Sequence, residues 1–522
     1  MASTAPQIST IIHDNIGLLQ KPGVLSVRPG YQISNGWLTG SPAIVVTVSH
    51  KRADVASDEL VPAELDGVAV DVRQASPTKS TRLRDPTAYR AKALTAPDTG
   101  AVPEFDDELD LAAEAVTQLA PLASAKPAKP ELAYTAPAGA SLSPVTGPTT
   151  IHLSASPDSA WPTLKNFLGA TDRQLSVSMY DFTSAHILAE IETVTTGKEL
   201  KMTLDHPAKN PTADQTDEDT VAALKKSDGT NFTQAWALER MDPLAADWIF
   251  PTAYHIKVAV RDSTSMWLSS GNWNNSNQPD IDPVNNPGDA TAARAGDRDW
   301  HVIVDRPDLS STFESFVLND LAIAGAHDTV PSASLVPAAT QPQATTPPFA
   351  QFFPAQTITG SMTITPLLTP DPGVYAPAVK QLIEGAQTTL YLQFQYIELP
   401  PAGSAADQPF IDLVDAVIAR QKAGVDVRII MSEYETSGYL EQLQTAGLDV
   451  VTSVKIQNNV HNKGIIVDGA AVLVSSQNWS ADGTLFNRDA GVIIQNAEVA
   501  AYFGQLFDHD WEHLAKQETA DD

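Results

Sequence analysis

The stretch 460–489 constrains this chain more than any other. Within it His461, Lys463 and Asp468 stand as H-x-K-x4-D, and the intervening Gly464, Ile465, Ile466 and Val467 read as a strand. Side chains alternate along a strand, so His461 and Lys463 fall on one face. Gly469 reads as a turn, and a second apolar run, 470–474, leads into Ser475, Ser476, Gln477, Asn478 and Trp479. The result is a predicted hairpin with its polar groups gathered at the ends, an arrangement that surrounds one small anion with donors.

The pattern occurs twice. His255, Lys257 and Asp262 repeat H-x-K-x4-D, and Ser269, Ser270, Asn272 and Trp273 follow at the same distances as Ser475, Ser476, Asn478 and Trp479. A register kept without a gap from histidine to tryptophan points to a duplicated unit. The flanks agree. Ser156-Pro157-Asp158, a helical run and a strand over 175–180 are echoed by Thr369-Pro370-Asp371, a helical run and a strand over 389–396. Helices over 184–194 and 409–423 then lead to strands over 200–204 and 425–431, which predicts a sheet with helices on its faces in each half.

These paired motifs, over roughly residues 146–515, resemble the phospholipase D superfamily, and in particular bacterial members with both motifs in one chain. The resemblance implies an α/β fold: two pseudo-symmetric α/β/α halves forming one catalytic unit, preceded by a small α+β domain. It implies a metal-independent phosphodiesterase with no cofactor, in which His255 attacks phosphorus to give a phosphohistidine and His461 protonates the departing alcohol. The repeats themselves are symmetric enough to allow the opposite order. Such chemistry needs a nucleophile, an acid and donors to the phosphoryl oxygens. Two imidazoles can divide the first two tasks. Lys257, Lys463, Asn272, Asn478, Ser270 and Ser476 are the expected phosphate-binding groups.

Each imidazole also needs an acceptor on its other nitrogen, and the candidates are Asp299 in Asp297-Arg298-Asp299 and Asp489 in Asn487-Arg488-Asp489. Asp262 and Asp468 fall at the strand-to-turn junction, where a carboxylate caps backbone donors, and are expected to be structural. Ser270-Gly271-Asn272 departs from the G-S-x-N more usual in the family, which bears on fine phosphate geometry and leaves the reaction class intact. Trp273 and Trp479 are expected to pack in cores. His509 and His513 have metal-ligand spacing without a third ligand, so no metal site is expected.

Lys and Arg number 33 against 63 Asp and Glu, a formal net charge of −30. Such a surface repels long polyanions and anionic bilayers. With 43% hydrophobic residues, no apolar run of spanning length and no visible signal peptide, the chain reads as soluble, and the absence of cysteine fits a reducing, cytoplasmic setting.

Residues 1–80 read as a small α+β accessory domain with a helix over 7–20, strands over 24–27, 43–49 and 68–72, and turns at Pro29-Gly30, Asn35-Gly36 and Asp66-Gly67. Nothing in it names its partner. Residues 81–145 are an Ala/Pro-rich linker with an acidic helix over 104–119, residues 146–325 the first repeat, 326–356 a Pro/Ala/Thr-rich linker and 357–516 the second repeat. A polar insertion between Asn272 and Arg298 fits either a substrate-selecting lid or an ordinary surface loop. One chain holds both motifs, so a monomer can be self-sufficient.

Net acidity and the aromatic run Trp248, Phe250 and Tyr254 favour a phospholipid or other small amphiphilic phosphodiester over nucleic acid. Hydrolysis of a glycerophospholipid head group, with possible transphosphatidylation, is the leading expectation. A nuclease of the same chemistry would show a basic groove with interleaved aromatics, which the sequence lacks. A scaffold protein with a vestigial catalytic module is the third reading, and two intact motifs argue against it.

Overall fold

The computed structural model describes residues 5–34, 36–48, 60–74, 109–110, 134–205, 214–239, 247–248, 253–327, 346–371, 373–400, 405–433 and 436–518. The N-terminal module has helices α1 (Ala5–Asp14) and α2 (Ile16–Leu19) and strands β1 (Val24–Ser34), β2 (Trp37–Val48), β3 (Glu64–Leu65), β4 (Val68–Gln74) and β5 (Leu109–Asp110), ordered β3-β4-β2-β1-β5. Ile8, Ile12 and Leu19 pack on Val27, Ile44 and Val46. Three details differ from the sequence expectation. The helix is interrupted at Asn15, whose side chain donates to its own helix at Ile11 O (3.0 Å). Pro29-Gly30 is not a turn but runs within β1, paired with Ile44 and Ala43 and beyond the short pairing of β1 with β5 at Ser26 and Val27, where a residue lacking an N–H is tolerated. Leu109–Asp110 is a strand pairing with β1 rather than part of an acidic helix, and the remainder of 104–119 lies outside the described residues.

The first half contains β6 (Val145–Ser156), α3 (Ala160–Gly169), β7 (Gln174–Met179), α4 (Ala185–Val194), β8 (Glu199–Leu204), α5 (Asp217–Asp228), β9 (Phe232–Trp236), β10 (Leu238–Glu239), β11 (Asp247–Trp248), β12 (Lys257–Arg261), β13 (Ser265–Ser269), β14 (Asp299–Asp305) and α6 (Pro307–His327). The second contains β15 (Gln356–Thr369), α7 (Tyr375–Glu384), β16 (Thr389–Phe394), α8 (Gln408–Lys422), β17 (Asp426–Met431), α9 (Thr436–Ala446), α10 (Val450–Ser453), β18 (Val454–Ile456), β19 (Lys463–Val467), β20 (Ala471–Ser475), β21 (Asp489–Gln495) and α11 (Ala497–His509).

Among the described residues fourteen strands form one sheet, in the order β18-β17-β16-β19-β20-β21-β15-β6-β14-β13-β12-β7-β8-β9. Read from either end, this order pairs each strand with its repeat counterpart. The seam is the antiparallel pair β6 and β15, registered from Leu153 opposite Gln356 to Val145 opposite Ile364. It gives the chain the self-complementary interface of a two-fold dimer within one polypeptide.

Strand periodicity divides the core into layers. In β12, Val258 and Val260 face a central cluster shared by both halves, whereas Ala259 faces an outer cluster with α3 and α4; in β19, Ile466 faces the centre and Ile465 and Val467 the outer layer with α7 and α8. Helices α6 and α11 supply Phe313, Phe316, Phe503 and Phe507 to the central cluster. Asn496 caps α11, its side-chain oxygen accepting from Glu498 N (2.9 Å) and Val499 N (3.1 Å).

Segments expected to be linkers join this framework where they are described. Phe353 is buried in the central cluster, and Thr346 N donates to Arg294 O (2.9 Å) while Arg294 Nε donates to Thr346 O (2.8 Å). Residues 81–108, 111–133 and 328–345 of the expected linkers lie outside the described residues. The N-terminal module docks on the second half: Trp37 and Leu38 join its outer cluster, and Arg28 and Arg73 both pair with Glu441 on α9, Arg73 at 2.8 Å.

Candidate functional site

Each half brings its polar residues to one edge of the sheet. The histidine lies two residues before the hairpin's first strand, the lysine opens that strand, the Ser-Ser-x-Asn or Ser-Ser-Gly-Asn stretch begins at the last residue of the second strand, and an aspartate opens the third. Antiparallel neighbours β12-β13-β14 and β19-β20-β21 place these ends side by side.

The halves then exchange partners. Arg298 N donates to Asn459 O (2.7 Å) and His461 N to Arg298 O (3.1 Å), while Arg488 N donates to Ala253 O (2.8 Å). These backbone bonds draw the start of β14 onto the loop before β19, and the start of β21 onto the loop before β12. As a result His461 Nδ1 lies 2.9 Å from Oδ1 of Asp299, and His255 Nδ1 lies 2.9 Å from Oδ1 of Asp489. Each imidazole is therefore oriented by the carboxylate of the opposite half. The sequence named both aspartates as candidates and left their pairing open.

Both dyads are withdrawn from water: His255, Asp299 and Asp489 are fully buried and His461 is 5% exposed. Burial alone pushes the Asp299 carboxyl up, but the adjacent His461 ring, its hydrogen bond, Lys463 and His301 hold it below the ordinary carboxylate range. An ionised Asp299 accepts from Nδ1–H and so fixes the His461 ring and its tautomer, with Nε2 as the other ring nitrogen. Lys463 Nζ stands 2.9 Å from that Nε2. In the other half Lys257 Nζ donates to His255 O (2.6 Å) and lies over the Tyr180 ring, which itself meets the His255 ring edge-on at 4.9 Å.

Asn272 and Asn478 are each 1% exposed. Asn272 Oδ1 and both polar side-chain atoms of Asn478 have no hydrogen-bond partner among the described residues. Buried amides of this kind are costly unless a ligand meets them. Ser270 and Ser476, expected to bind phosphate, are engaged elsewhere. Their hydroxyls donate to Asp299 Oδ1 (2.6 Å) and Asp489 Oδ1 (2.5 Å), the same oxygens that face the histidines. They hold the carboxylates in place.

Asp262 and Asp468 are remote from the dyads. Each has positive φ and caps three successive backbone N–H groups, those of Asp172, Arg173 and Gln174 and those of Gln387, Thr388 and Thr389. Trp273 and Trp479 are buried in the two outer clusters. Tyr254, grouped in the sequence with a substrate-facing aromatic run, is fully buried and bonds Ser178 and Asp320 instead; the side chains of Trp248 and Phe250 lie outside the described residues. His509 Nε2 accepts from Ala350 N (3.2 Å), and no metal-holding cluster occurs among the described residues. The polar insertion is tied down: Asn277 accepts from Asn272 N and donates to Asp297, and Arg294 O accepts from Asn459 Nδ2 (3.2 Å) in the second half.

Sequence reasoning gave no role to the arginine preceding each aspartate. Arg298 is fully buried and forks onto Asp510 (2.8 and 3.0 Å) with Asp158 at 2.9 Å; Arg488 forks onto Asp320 (2.8 and 2.9 Å) with Asp371 at 2.6 Å. The duplicated Arg-Asp pair was the available signal.

Residues 379–511 match the family described as cardiolipin synthase, phospholipase D-like domain. Residues 379–511 carry a phospholipase D-like domain. A mitochondrial cardiolipin hydrolase of Chlamydomonas reinhardtii is 30% identical over 104 residues, 19% of this chain, and the match spans about half (46%) of that relative's length. Among solved structures, phosphatidylserine synthase of Haemophilus influenzae Rd KW20 aligns with 70% of this chain and 88% of its own at 14% identity and a TM-score of 0.46. Nuc of Salmonella typhimurium, a phospholipase D family member, aligns with 30% of this chain and 97% of its own at 21% identity and a TM-score of 0.24. The phospholipase D-like match covers the second motif, and the first half repeats its strand order.

Proposed function

We propose that the chain is a phosphodiesterase that cleaves the head group of a glycerophospholipid through a phosphohistidine. The observation that carries this reading is the exchange of carboxylates between halves, which builds two buried imidazole–aspartate dyads, each with its histidine from one half and its aspartate from the other. In the first step His255 Nε2 forms a bond to phosphorus as the bond to the head-group oxygen breaks, and that oxygen takes the proton of His461. In the second, His461 accepts a proton from water or an alcohol, whose oxygen attacks phosphorus and releases His255. This order of roles follows the family resemblance. Lys257, Lys463, Asn272 and Asn478 would meet the non-bridging oxygens as charge gathers on them. The cardiolipin enzymes named by the family match and by the curated relative support a glycerophospholipid over nucleic acid, as does the net charge of −30.

The test is choline release from phosphatidylcholine in EDTA by the purified full chain. Turnover is expected, and both His255→Ala and His461→Ala should abolish it. Choline release persisting in either variant would overturn the two-histidine mechanism. Degradation of DNA without lipid turnover would move the chain to the nucleases.

A further inference from the structure

The two dyads are not equally supported. Tyr254, immediately before His255, is fully buried, and its hydroxyl lies 3.1 Å from Asp320 Oδ2 and 2.8 Å from Ser178 Oγ. Arg488, immediately before Asp489, donates from Nε to the same Asp320 Oδ2 (2.8 Å) and from Nη2 to Oδ1 (2.9 Å). One buried carboxylate on α6 therefore holds the neighbours of both dyad members. With the Arg488 N to Ala253 O bond, the backbone on either side of the His255–Asp489 contact is fixed twice.

The other dyad lacks this second tie. Arg298 forks onto Asp510 much as Arg488 does onto Asp320, but the residue before His461 is Val460, whose side chain has no hydrogen-bonding atom. Asp510 Oδ2 is met instead by Gln393 Nε2 (2.9 Å), from β16. The remaining partners correspond in part: Arg488 has Asp371 and Thr369 O as Arg298 has Asp158 and Ser156 O, but Arg488 also donates to the Tyr134 hydroxyl (3.1 Å) where Arg298 lies over the Phe349 ring.

We propose that Asp320 and Tyr254 are positioning residues for the His255–Asp489 dyad, so that His255 is held at a fixed aim by a carboxylate that bonds the neighbours of both dyad members, a tie for which Val460 beside His461 offers no side-chain donor. Both side chains are fully buried. Their effect passes through the short lever from the Tyr254 hydroxyl along the backbone to the imidazole. A histidine that must form a bond to phosphorus tolerates less angular freedom than one that passes a proton. The kinetic consequence rests on the phosphodiesterase reading above; the tie can be read on the imidazole itself.

Tyr254→Phe isolates it, because the ring still fills the core and Asp320 keeps both bonds to Arg488. The measurement is the downfield Nδ1 proton resonance of each histidine in the 15N-histidine-labelled full chain, assigned with His255→Gln and His461→Gln. In Tyr254→Phe the His255 resonance should shift or broaden and exchange faster with water, with His461 unchanged. Tyr391→Phe, which removes a tyrosine–aspartate bond to Asp426 (3.2 Å) in the other half, should leave both alone. With bis(p-nitrophenyl) phosphate, kcat should fall about 10-fold at an unchanged KM, as for other residues that orient a functional imidazole. An unmoved His255 resonance, or equal movement of both, would overturn the proposal. A wild-type chain that turns over no phosphodiester would sink the proposed function instead, while the resonances still decide the positioning.

Discussion

Replacing Asp468 by asparagine separates the fold from the chemistry within the motif that names the family. Asp468 Oδ2 accepts from Gln387 N (2.8 Å), and Oδ1 accepts from Thr388 N (2.8 Å), Thr388 Oγ1 (2.7 Å) and Thr389 N (2.9 Å). Its φ of 52° is left-handed, a conformation asparagine adopts readily, so the substitution changes only charge and acceptors. Burial pushes this carboxyl up, but the backbone donors of Thr389, Gln387 and Thr388 outweigh it and lower the pKa from 3.8 to about 2. That preference for the charged form is worth about 2 kcal/mol as an upper bound, and solvent screening at a partly exposed turn reduces it to about 1 kcal/mol. An amide adds the loss of one acceptor facing Gln387 N, about 1 kcal/mol.

Asp468→Asn should therefore destabilise the chain by about 2 kcal/mol in urea at pH 7, with kcat per folded molecule unchanged. Because the folded pKa lies below the unfolded one, the unfolded chain binds more protons between about pH 2 and pH 4. The charge contribution is thus complete above about pH 4, is lost as pH falls toward 2, and should be missing from the variant's stability profile. A hundredfold fall in kcat at unchanged stability would refute the reasoning, since the carboxylate would then be acting on the reaction.

Two further outcomes follow from the site. Asp299→Asn and Asp489→Asn should each lower kcat on a phosphodiester by about 100-fold or more, by removing the acceptor that fixes Nδ1–H; activity within about threefold of wild type would show that the opposite-half carboxylates do not orient the rings. Gly464→Ala should destabilise the second half by about 1–3 kcal/mol in thermal unfolding, because a Cβ there falls inside the Trp300 ring, and an unchanged midpoint would show that the seam between β14 and β19 is looser than its packing implies.

Much of this was legible in the sequence, for reasons that particular residues make clear. The hairpins, the strands β7, β8, β16 and β17 and the helices between them carry their own periodicity and register in each repeat. The strands β6, β14, β15 and β21, the helices α6 and α11, and the strands β9 and β18 at the two ends of the sheet were not named, because each takes its place from a neighbour in the sheet or core rather than from a motif of its own. Pro29-Gly30 reads locally as a turn, but pairing with β2 overrides that preference. At the site, the duplicated spacing identified both histidines, both lysines and both aspartates. It could not show that each ring takes its carboxylate from the other half, because that depends on contacts between Arg298 and Val460 and between Tyr254 and Arg488 that are long-range in sequence. Ser270 and Ser476 were assigned to phosphate for the same reason: composition shows a hydroxyl, and only packing shows which oxygen it meets.

The seam of β6 and β15 also bears on how such a chain can change over time. Duplication usually releases one copy to drift while the other keeps the original job. Here Asp299 bonds His461 and Asp489 bonds His255, so a change at either aspartate would reach the ring carried by the opposite half.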